Sequence, residues 1–391
     1  MLKKRKRVFG VLALLILAAG IAIPTATSIV SVNNEIRVPA SHEVRRAEIP
    51  SDPTLTIAST WKSAFPDRAF RELVWRLYNG GDASIYNDDV DGIANLTQAQ
   101  IDGAGGITKR TVLHVLNKLE VTSFSGLEHM VGLTQFYTSR TQVSSIDISK
   151  NVALTELIVT EVNISHIDLS QNINLNFVNL SRCNLASVDF SHNQKLTSVE
   201  VGFNKLTSLD FSYNPLLVTV SAPVNKITSV NVNNCPSLKT LSVHINELTA
   251  IDLSNNPLLT NLTAIVNKFT SVDVSNNLDL TTLMLAHNDD LHTVTGLSSL
   301  TKLTSLYLSA TSLSALNLHA SVKPIITRLD FSCTNIRDFD LTGFTALQLL
   351  SISTAKNFVS NPSFLELTIS GTRDVHNRQL TLIRPGTNAL S

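Results

Sequence analysis

The sequence predicts a curved parallel β-solenoid with short extended or 3-10 return legs and a small helical N-terminal cap. Three observations predict it: a fixed period, a fixed apolar pattern inside each period, and a return leg too short to hold a helix. Asp147, Asp168, Asp189, Asp210, Asn231, Asp252 and Asp273 follow one another at one constant interval. Self-similarity at a period of about 20–50 residues is the signature of stacked-coil architectures.

Within each period the first apolar position is always leucine, from Leu133, Leu154 and Leu175 through Leu217 and Leu238 to Leu280. The fourth holds Phe136, Leu157, Val178, Val199, Val220, Leu241, Leu262 and Leu283, and the sixth holds Val159, Leu180, Val201, Ala222, Val243, Ala264 and Leu285. Positions four and six point the same way only on a strand, where side chains alternate. The template LxxLxLxxNxL is that of a leucine-rich repeat. One such coil cannot bury its own leucines, so neighbours must stack and share a core. Beyond Leu280 the template continues from Leu303, Ile326 and Leu347, giving about eleven repeats over residues 133–365.

Position nine is a second file, formed by Asn204, Asn225, Asn246, Asn267 and Asn288, with Thr141, Val162, Cys183, Thr311 and Thr334 at its ends. The chain leaves the sheet there, and buried main-chain groups need partners. An asparagine amide offers donor and acceptor together, and threonine or cysteine can do part of the task. The Asp, Ser and Asn of the return leg, such as Asp252, Ser254 and Asn256, are expected to cap turns.

The ends differ from the array. Lys3, Lys4, Arg5, Lys6 and Arg7 precede an apolar run from Val8 to Ile23, the layout of a signal peptide over residues 1–28 with cleavage after Ser28. Left uncleaved, the same segment would anchor the chain, and that is the one membrane contact expected. Residues 29–60, with Pro39, Pro50 and Pro53, read as a linker. Residues 61–132 read as a helical cap, because Phe70, Leu73, Val74 and Leu77 fall at helical spacing after Phe65-Pro66-Asp67. Residues 366–391 read as a C-terminal cap or tail.

Phe65-Pro66-Asp67, Leu96-Thr97-Gln98, Gly126-Leu127-Glu128 and the Ile-Asp-Leu-Ser repeats together resemble the internalins and related surface proteins of Gram-positive bacteria, in their short-repeat branch. The resemblance covers residues 61–365. It implies a helical cap, a concave sheet, and adhesion or recognition at a cell surface. There are two departures. The stretch after Leu365 is too short for an immunoglobulin-like domain, and the sequence ends without a wall-sorting motif.

Little in the chain points to chemistry. Without its N-terminal basic cluster the sequence holds 26 basic against 31 acidic residues, which gives no reason to expect nucleic acid. Cys183, Cys235 and Cys333 match neither a zinc pattern nor a disulfide framework. Asn87, Asp89, Asp91 and Gly92 begin like a calcium loop, but Gln98 stands where a bidentate Glu is needed. No catalytic motif appears, and no cofactor or metal is expected. The expected function is an exported recognition or adhesion module for a protein or cell-surface glycan. A structural envelope protein binding its own cell wall, or another bacterial protein, is the alternative. Concave positions three and five are mostly Ser and Thr, apart from Tyr137, Ile158 and Phe177 with Glu156 and Glu200 beside them, and from isolated Met284 and Tyr307. The first five are the expected contact residues. A further apolar stripe at position eight, Phe203, Val224, Ile245 and Val266, reads equally as loop packing or as a second contact patch.

Overall fold

The structure, a computed structural model, describes residues 61–78, 106–336, 339, 343–351 and 381–382. The signal segment, the linker, the Leu96-Thr97-Gln98 and calcium-like segments, and nearly all of residues 366–391 lie outside them. Among the described residues no helix is long and apolar enough to cross a membrane.

Short strands, one per coil, join in register into a thirteen-stranded parallel sheet. Position four of each coil pairs with position four of the next, as Leu157 with Val178 and Leu241 with Leu262. Identical spacing thus stacks equivalent apolar positions, and the leucine-rich-repeat solenoid follows. Return legs are extended or 3-10, as at Leu127–His129 and Leu297–Ser299. Two pairs of return legs form small parallel sheets of their own, Ser208–Asp210 with Ser229–Asn231 and Ser271–Asp273 with Thr293–Thr295.

The sheet starts earlier than position one at Leu133 implied. Val112–Leu116 is its first strand, with Leu113 and Val115 in the core, so residues 61–132 are not wholly helical. Val112 pairs with Gln135, which makes this coil slightly longer than the repeat period, and it lacks the position-nine Asn that marks later ones. At the other end Thr381–Leu382 pairs in parallel with Leu349–Leu350.

Helices Trp61–Ala64 and Arg68–Tyr78, with the turn between them, bury Trp61, Phe65, Phe70 and Val74. Phe70 meets Phe124 edge-on at 5.2 Å, and Phe124 meets Phe136 of the second strand at 5.3 Å. Asp67 ties this region together. One carboxylate oxygen caps the helix at the Phe70 amide, and the other accepts from the Thr122 amide and hydroxyl and the Ser123 amide. Burial opposes the charge, but these hydrogen bonds outweigh it and hold the carboxyl below its usual 3.8. A depressed pKa contributes stability above the unfolded value and loses it as pH falls through the folded one. Asp67→Ala should therefore cost about 1–2 kcal/mol at neutral pH, with the gap to the parent closing in acid. Melting temperatures of both proteins across an acid series check this; a gap independent of pH would refute it.

The position-nine asparagines bond main-chain groups of neighbouring coils. Asn246 donates to the carbonyls of Ala222, Val243 and His244 and accepts from the Ile227 amide. Asn204 and Asn225 make equivalent bonds but are half-buried, whereas Asn246, Asn267 and Asn288 are buried. Cys183 donates its thiol to the Val159 carbonyl at 3.0 Å, and burial pushes its pKa up to about 12, so it is a structural thiol. Among the described residues the Thr311 and Thr334 hydroxyls donate only within their own coil, and the Thr141 hydroxyl has no hydrogen-bond partner.

One expectation fails. Asn256 is no turn cap: it is fully buried, and its amide donates to the carbonyls of Val232 and Cys235 in the coil before. Asn151, Asn172, Asn193, Asn214 and Asn277 repeat that geometry, so the return leg carries a second asparagine file. The aspartates earlier in each leg do cap turns, Asp252 accepting from the Ser254 amide at 3.0 Å.

Candidate functional site

Positions three and five project from the concave sheet because four and six face the core. The pleat therefore places Tyr137, Ile158 and Phe177 on one face over three successive coils, all half-buried. Register sets Tyr137 beside Ile158 and Glu156 beside Phe177. Glu200 lies one coil further on, beside Asn179.

Tyr137 is held more firmly than an isolated anchor would be. Its ring stacks on His114 at 4.4 Å, and its hydroxyl donates to Glu156. Burial, then the Glu156 carboxylate, raises its pKa well above the ordinary phenol value. The ring is thus fixed in place before any partner arrives, which lowers the ordering cost of binding. Glu200 accepts from the Asn179 amide at 2.7 Å, while Asn179 accepts in turn from the Ser181 amide. Burial raises the Glu200 pKa, with the Asn179 bond opposing.

The first strand enlarges the patch. Val112 and Leu116 are 37% and 47% exposed on the same face, with His114 between them. These residues escape a reading of the repeats, since their coil lacks the Asn and Asp that mark the period. The short, mostly apolar run Val-Leu-His-Val-Leu was the available signal. Further along, Met284 and Tyr307 are not exposed anchors. They are 8% and 5% exposed.

Position eight has a distinct backbone. Arg140, Glu161, Arg182, Phe203, Val224, Ile245, Val266 and His287 all adopt positive φ, between 52° and 61°. That left-handed conformation costs an L-residue about 1–2 kcal/mol, and β-branched side chains rarely adopt it. Arg140 pairs with Glu161 at 2.9 Å, as alternating charge suggests, but Arg182 lies over the Phe203 ring at 3.9 Å.

Solved structures match this architecture. An internalin of Listeria monocytogenes, InlF, is similar with a TM-score of 0.63 and 22% identity, over 76% of this chain and 86% of that one. This is an internalin-like leucine-rich-repeat fold. The leucine-rich-repeat domain of APL1B reaches a TM-score of 0.52 at 19% identity, over 67% of this chain and 81% of that domain. A leucine-rich-repeat protein of Leptospira interrogans reaches 0.50 at 19% identity, over 62% and 72%. No family model matches the sequence. No curated protein matches it either. At these identities the internalin-like likeness is one of fold.

Proposed function

We propose that this chain is an exported recognition module that binds a protein through the N-terminal half of its concave sheet. One observation carries the reading: Val112, Leu116, Tyr137, Ile158 and Phe177 form an exposed to half-buried apolar patch on four neighbouring coils, rimmed by Glu156 and Glu200. Apolar patches ringed by polar groups mark protein contact sites. Rigid aromatics in such patches carry a large share of binding energy. The basic and apolar N-terminal residues support export, and adhesion is the role that the internalin-like fold supports.

Labelled protein offered to intact host cells and to isolated bacterial cell wall tests the reading. Binding should appear on cells, survive glycosidase treatment and vanish with protease treatment. Tyr137→Ala with Phe177→Ala should weaken it tenfold or more, about 1.4 kcal/mol, with the fold unchanged by circular dichroism. Binding to cell wall alone would favour a structural envelope role. Undiminished binding by the double variant would place the contact elsewhere.

A further inference from the structure

The position-eight stripe lies outside that patch and has no role in the core. Phe203 is 44% exposed, and Val224, Ile245 and Val266 are half-buried at the edge of the sheet. All four sit at φ between 55° and 58°. The fold does not ask for apolar residues here: Arg140, Glu161 and His287 occupy the same backbone in other coils. Asparagine or glycine would relieve the strain. Residues held in an unfavourable conformation, against the interest of the fold, point to a function.

Charge indicates what the stripe meets. Two residues on in each coil stand Lys205, Lys226, Glu247 and Lys268, a margin with net positive charge. Lys268 is paired with Glu247 at 2.7 Å, while Lys205 and Lys226 are exposed.

Spacing narrows it further. Coils repeat about every 4.8 Å, so the four apolar residues stand in a row about 14 Å long. An α-helix laid along the row presents one turn per about 5.4 Å, close to the coil repeat. An extended strand presents same-face side chains about 6.7 Å apart and falls out of step at once. We propose that Phe203, Val224, Ile245 and Val266 form a docking edge for an amphipathic α-helix with an acidic flank, supplied by a partner protein. Its apolar residues at i, i+4, i+7 and i+11 sit over successive coils, and its carboxylates face Lys205 and Lys226.

The test uses the full chain, a panel of helical peptides with leucines at those positions and glutamates on the flanks, and matching peptides with lysine in place of glutamate. Acidic peptides should bind saturably, at least tenfold more tightly than lysine peptides. Val224→Asn with Ile245→Asn should weaken acidic-peptide binding tenfold or more, while the melting temperature stays level or rises. Tyr137→Ala with Phe177→Ala should leave the peptide affinity unchanged, which separates this edge from the concave patch. The proposal is overturned if the acidic peptides fail to bind, if the asparagine variant melts several degrees lower, or if the concave variant abolishes peptide binding. Binding to phosphatidylglycerol vesicles, lost in the asparagine variant while peptides fail, would make the edge a membrane contact and overturn it too.

Discussion

Removing residues 61–78 from the full chain should leave it insoluble. Trp61, Phe65, Phe70, Val74 and Trp75 are all buried, three of them with 1% exposure or less among the aromatics. Each large side chain buried is worth about 1.5–3 kcal/mol, so five together rival the about 5–15 kcal/mol that holds a domain folded. The loss falls at one end of the stack, where Phe124 would lose the ring of Phe70 that packs against it. An open solenoid end also exposes strand edge and invites association between chains. The measurement is the soluble fraction on expression and the circular dichroism of what remains. Soluble protein with an unchanged spectrum and melting temperature would mean that these helices are an accessory to the array and not its cap.

The array was legible in the sequence because stacking turns a period into geometry. Leu157 and Val178 are neighbours in register since they stand one period apart and each coil starts from the same leucine. The concave positions follow from strand alternation alone. What escaped needed information that a single coil does not carry. Asn225 and Asn256 both recur at the period, yet recurrence cannot tell an amide that faces the core from one that faces a turn. In the structure both donate to a carbonyl one coil away, so Asn256 supports the core as Asn225 does. Val112 escaped for the opposite reason, having neither the period nor the Asn. The left-handed backbone at position eight is set by the turn out of the sheet, and neither Val224 nor Ile245 advertises it, since both residues prefer strands. Template position alone does not fix exposure: Tyr307 stands at a concave position yet is only 5% exposed.

The two asparagine files make a graded prediction. Asn246 uses its whole amide: the nitrogen serves carbonyls in two coils, and the oxygen takes the Ile227 amide. Asn246→Ala leaves that N–H buried without an acceptor, at about 1–3 kcal/mol, and removes the carbonyl contacts at about 1 kcal/mol more. The expected cost is about 3 kcal/mol. Asn256 uses only its nitrogen, and its side-chain oxygen has no hydrogen-bond partner among the described residues. Both carbonyls it serves also accept a backbone amide, from Cys235 and Leu238. Its removal orphans no donor, so Asn256→Ala should cost less, about 1–2 kcal/mol. The protein already tolerates a weaker residue in this file, since Cys235 donates its thiol to the Phe211 and Asn214 carbonyls at 3.5 and 3.6 Å. Asn256→Cys should therefore be milder still. Denaturant titration of the three variants checks the order Asn246→Ala, Asn256→Ala, Asn256→Cys. If Asn256→Ala proved the most damaging, the return-leg file and not the position-nine file would be the chief polar support of the solenoid.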